Sequence, residues 1–211
     1  MNNTSYGKLT VGLIGAWFVL ALSASARHVF KTDPSLPPLP LGLAALSPIV
    51  VFLFWFATSS GFRQFALSLN PRTLTFVQSW RIAGFTFLVL YAAGLLPGVF
   101  ALPAGWGDIA IGATAPLAAI KLANFRRRRA FIFWQILGIF DLVMAVTLGT
   151  LARLISPHEV ATAVMTVLPM STIPTFAVPL LIMLHVICIA QAMHWKERQD
   201  SHDGEQLLSS A

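Results

Sequence analysis

Long apolar runs separated by short connections rich in Pro, Gly or Arg fill the sequence from residue 9 to residue 195. A hydrocarbon environment offers backbone groups no water, so a segment crossing it must satisfy its own N–H and C=O groups, and about 20 apolar residues in a helix suffice. The expected fold class is therefore all-α: a polytopic transmembrane helix bundle of about six spans, near residues 9–28, 41–58, 74–96, 104–123, 130–151 and 175–195. A short interfacial or re-entrant helix is expected at 157–168, before the last span. The bundle would take up residues 1–196, and the polar tail 197–211 is expected to be disordered. A mean hydropathy of +0.75 with only 10% charged residues excludes a soluble globular domain, which uses about 25%. No room is left for a second domain.

Individual boundaries are set by local signals. Ala24-Ser25-Ala26 has the form of a signal-peptidase site, but the run before it is long for a signal sequence and carries Trp17 and Phe18, so an uncleaved span is expected. Pro34, Pro37, Pro38 and Pro40 make the next connection extended. Gln78 and Arg81 blur the start of the third span, and residues 97–103 read as a charge-free link into the fourth. Ser156-Pro157-His158-Glu159 is a capping box with Pro at the first helical position, and Pro169 comes too soon after it for a crossing. Trp80, Ile82, Gly84, Leu88 and Val89 recur as Trp134, Ile136, Gly138, Leu142 and Val143, which suggests a parallel repeat.

Charge gives orientation. The net charge is +6. Lys8, Arg63, Arg72, Lys121, Arg126, Arg127, Arg128, Arg129, Lys196 and Arg198 fall on one side, against Arg27, Lys31 and Arg153 on the other. The first side is expected to be cytoplasmic, with both termini there, and Trp80, Trp134 and Trp195 near its interface. Cations clustered at span ends suit anionic membrane lipids and imply no nucleic-acid partner. The one cysteine, Cys188, lies inside an apolar run and reads as a small buried hydrophobe.

Ionisable residues within spans cost about 2.5–3.5 kcal/mol each at the helix centre and so need a reason to be there. Asp141 stands twelve residues from both Arg129 and Arg153, at mid-depth, on a small-residue face with Gly138, Ala145 and Gly149. His185 also falls near the middle, and each of the two could simply be a hydrogen-bonded structural group. Asp108, in Pro103-Ala104-Gly105-Trp106-Gly107-Asp108, is expected at the start of the fourth span, where a carboxylate also suits a helix N-terminus. Arg81 either joins them or, beside Trp80, snorkels to the interface. If all are internal, two carboxylates face one guanidinium, which makes a site with one shareable proton. A direct or water-mediated pairing of Asp141 with His185 is expected at its centre.

Gln78-Ser79-Trp80-Arg81-Ile82-Ala83-Gly84 and Phe100-Ala101-Leu102-Pro103-Ala104-Gly105-Trp106-Gly107-Asp108 resemble a pattern in uncharacterised bacterial inner-membrane proteins of similar length. The resemblance spans the middle third of the chain, implies an inner-membrane location and transfers no mechanism. The leading expectation is a small-solute or proton-linked transporter whose polar path is lined by Asp141, His185, Asp108, Arg81 and Gln78, with a small solute or proton and membrane lipids as partners. No HExxH, GxSxG, GxGxxG or P-loop pattern is present, so no catalytic residue, metal ligand or cofactor is assigned. The second reading is a membrane-embedded redox or hydrolytic enzyme using the same group, and the third an assembly or stress scaffold.

Overall fold

A computed structural model describes residues 3–33, 36, 38–155 and 162–209. Among them the chain is helical without strands: α1 (Asn3–Ala26), α2 (Leu39–Thr58), α3 (Ser60–Ser68), α4 (Pro71–Val77), a 3-10 segment (Gln78–Gly84), α5 (Phe85–Ala92), α6 (Gly98–Leu117), α7 (Arg128–Ile155) and α8 (Val178–Ser209). Five stretches are long and apolar enough to cross a membrane: Thr4–Ala26, Leu39–Thr58, Pro71–Ala92, Phe125–Arg153 and Ile173–Trp195. In Leu39–Thr58 only 6% of the most apolar window is buried inside the protein, and even in Ile173–Trp195 only 39%. Apolar side chains that mostly face outward need an apolar solvent, which makes this a multi-pass integral membrane protein.

α6 matches α2 in length, but Gly, Pro and Asp108 dilute its apolar character. It does not need that character on its inner face, because Phe100, Ala101, Ala104, Gly105, Ile111, Gly112 and Ala115 are buried against α5, α7 and the 3-10 segment. Residues 98–103, read from sequence as part of a link, belong to this helix. Pro103 cannot donate to the carbonyl of Val99, a loss that ends helices in water but is tolerated where neighbours enclose the backbone. Asp108 consequently lies ten residues inside a helix rather than at its start. At its other end a π turn, Ala118–Leu122, follows the helix.

Polar side chains tie the ends together. Gln191 Nε2 on α8 donates to the carbonyls of Ala66 (3.1 Å) and Leu69 (2.7 Å), which caps α3. At the opposite end Arg153 Nη2 donates to Thr32 O (2.9 Å), Thr32 Oγ1 (2.8 Å) and Asp33 O (2.8 Å), fastening the α1–α2 connection to the last turns of α7. Stacking of Trp55 on Phe62, with centroids 3.9 Å apart, closes α2 onto α3. The capping box at 156–159 lies outside the described residues. Between α7 and α8 the described chain forms a 3-10 turn, Thr162–Thr166, and a π turn, Ile173–Ala177, that feeds α8. α8 is helical through Ser209, in the tail where sequence composition leads to an expectation of disorder.

Candidate functional site

The centre of the bundle is organised by the break at 78–84. In a 3-10 helix side chains three apart eclipse one another, so Gln78, Arg81 and Gly84 share one face, and these three are the buried residues of that segment. Arg81 is 3% exposed while its neighbour Trp80 is 78% exposed. The snorkelling alternative for Arg81 is therefore wrong: the tight turn sends Trp80 outward and the guanidinium inward.

Every arm of Arg81 finds a partner. Nε donates to Asp108 Oδ1 at 2.7 Å, Nη2 donates to Asp141 Oδ2, and Nη1 donates to the carbonyl of Gly138 at 3.1 Å. Nη1 also stands 3.5 Å from His185 Nε2. Asp141 and His185 are thus brought together across the guanidinium, and their expected pairing is replaced by a shared arginine. Charge decides this: a buried guanidinium has five donors to satisfy, and a carboxylate satisfies them better than an imidazole does.

Three glycines make the space. A Cβ on Gly84 would collide with Asp108, one on Gly107 with Asp141, and one on Gly138 with the ring of His185. Asp108, Asp141 and His185 therefore each occupy a slot opened by a glycine on a facing segment, so close helix approach and polar clustering have one cause here.

A second layer orients His185. Its Nδ1 pairs with Gln135 Oε1, and Gln135 Nε2 donates to Thr75 Oγ1 at 3.0 Å. Since the amide oxygen accepts, Nδ1 carries the ring proton and Nε2 presents a lone pair to Arg81. Thr75 Oγ1 is 3.8 Å from Cys188 Sγ, which places the cysteine at the end of this row of polar groups. Trp134, expected in the interfacial belt, is instead buried, with its ring 5.8 Å from that of His185 and Nε1 donating to Thr114 Oγ1 at 3.1 Å. Gln78 belongs to the same region but not to the row: Nε2 donates to Leu181 O at 3.3 Å, and Oε1 is buried without a partner among the described residues.

Gln135 and Thr75 were not legible as site residues: Gln78, the one uncharged polar residue read as lining the path, stood out only because it interrupts an apolar run together with Arg81. One signal did exist. The 54-residue offset that aligns Gly84 with Gly138 also aligns Arg81 with Gln135, and all four lie at the polar centre. Gln135→Leu should leave both the Thr75 hydroxyl and His185 Nδ1 without this partner and destabilise the protein by about 1–3 kcal/mol. Thermal unfolding in detergent would measure it, and an unchanged midpoint would mean that the row does not hold His185.

A family model described as a domain of unknown function (DUF8737) matches residues 38–193, well over half of the chain. The chain belongs to the DUF8737 family. The DUF8737 match contains Thr75, Arg81, Asp108, Gln135, Asp141 and His185, and α1 lies outside it. No curated protein and no solved structure matches the chain.

Proposed function

We propose that this protein is a small-solute or proton-linked transporter of a bacterial inner membrane, with both termini cytoplasmic and with Arg81, Asp108, Asp141 and His185 as its charge-handling centre. The observation that carries the reading is the charge count at Arg81: two carboxylates share one guanidinium, and an imidazole with a single ring proton adds no charge. The cluster is one positive charge short of neutral. Burying such an excess is costly, so a proton or small cation that enters and leaves is the natural complement. Access supports this reading, because a cleft of about 80 Å³ reaches Asp108 from the Arg153 end of the bundle. The side-to-side distribution of Lys and Arg supports the orientation.

The test is proton flux into liposomes carrying the purified full chain and a trapped pH-sensitive dye. Asp141→Asn keeps the side-chain shape and hydrogen-bonding capacity but removes the excess charge, so flux should fall to that of empty liposomes while the protein stays folded. Undiminished flux in Asp141→Asn and in Asp108→Asn alike would refute the proposal.

A further inference from the structure

Arg153 takes no part in the central cluster. It is 3% exposed, and its hydrogen-bond partners among the described residues are the neutral oxygens of Thr32 and Asp33, all held by Nη2. Its Nε is buried and has no partner among the described residues. Tying the α1–α2 connection to α7 therefore uses one nitrogen of the guanidinium and leaves a charged donor unsatisfied, a state that native interiors rarely keep without a ligand.

Two cavities meet at this residue. One, of about 320 Å³, is bordered by Lys31, Thr32, Arg153, Val164 and Thr166. The other is the 80 Å³ cleft, which runs inward between Phe100, Leu142, Val146 and Ile173. Arg153 and Thr166 line both. The outer cavity has cationic and hydroxyl groups, while the inner one is walled by Leu142, Val146 and Ile173, with Asp108 among its lining residues as well as Thr150.

We propose that Arg153 binds the oxyanion of a small amphipathic acid, a carboxylate or phosphate in the outer cavity whose short apolar substituent enters the cleft. Lys31 adds charge at the rim, and the Arg153 guanidinium, on a residue that borders both cavities, supplies the charge-assisted hydrogen bond that fixes the head. The cleft's volume admits only a few non-hydrogen atoms, which sets the substituent as short. This site stands whether or not the central cluster carries protons, and Asp141→Asn should leave it intact.

Calorimetric titration of the full chain in phosphatidylcholine nanodiscs tests it, with pentanoate as the probe and acetate and pentanol as controls. Pentanoate should bind more tightly than either, and Arg153→Gln should weaken it about tenfold, the scale of one charge-assisted hydrogen bond. Val146→Phe, at a partly exposed position on the cleft wall, should weaken pentanoate and leave acetate unchanged, which keeps the test valid if Arg153→Gln fails to fold. Pentanoate affinity that falls when phosphatidylglycerol is added identifies a lipid headgroup as the natural oxyanion, and affinity that holds identifies a free solute. Equal affinity for pentanoate and pentanol, or pentanoate binding that survives Val146→Phe at full strength, overturns the proposal.

Discussion

Arg81→Leu should prevent folded protein from accumulating in the membrane. The guanidinium is the shared partner of Asp108 and Asp141 and also satisfies the carbonyl of Gly138. Removing one side of a buried ion pair costs about 3–5 kcal/mol because the other side is left charged and desolvated. Here two carboxylates are stranded, against a total stability of about 5–15 kcal/mol for a typical protein. The triple variant Arg81→Met, Asp108→Asn, Asp141→Asn removes the stranded charges and should recover most of the folded yield. Arg126→Leu, on an exposed side chain, should stay within about 0.5 kcal/mol of the parent. Fluorescence-detected size exclusion of membranes solubilised in mild detergent separates these outcomes. If Arg81→Leu elutes as the parent does, the two ion pairs do not hold the bundle together.

That expectation rests on a residue whose place was only half legible in the sequence. The apolar runs fixed the helices, since nothing else satisfies a backbone in hydrocarbon, and Asp141 could be placed at mid-depth because Arg129 and Arg153 bracket it evenly. Its small-residue neighbour Gly138 was legible too, on the same helical face. Arg81 was ambiguous because α-helical geometry cannot say that 78, 81 and 84 point one way; that takes the 3-10 segment, which no residue in Gln78–Gly84 announces. Arg153 misled differently. Counting charges treats every cation near a span end as an interfacial anchor, and it cannot reveal one that is folded back under its own loop. The start of α6 was missed because Pro103 is read by its behaviour in water. In a helix enclosed by α5 and α7 that penalty is outweighed by packing.

The second large effect is expected at Gly138. Its missing side chain is the space occupied by the imidazole of His185, and its carbonyl accepts from Arg81 Nη1. A methyl group there has no flexible chain end to displace, only a ring held on one edge by Gln135 and facing Arg81 on the other. Gly138→Ala should therefore destabilise the protein by about 1–3 kcal/mol, the range for overpacking, although alanine is the better helix former by about 1 kcal/mol. Gly12 and Gly15 on α1 meet nothing within 4 Å, so alanine at either should be neutral or stabilising. The decisive comparison is a double-mutant cycle. With His185→Ala in place the methyl group enters vacated space, and the cost of Gly138→Ala should fall by at least about 1 kcal/mol relative to its cost in the parent. Additive effects in thermal unfolding would mean that the glycine and the histidine are not in contact, and the close approach of α7 and α8 around the Arg81 cluster would lose its explanation.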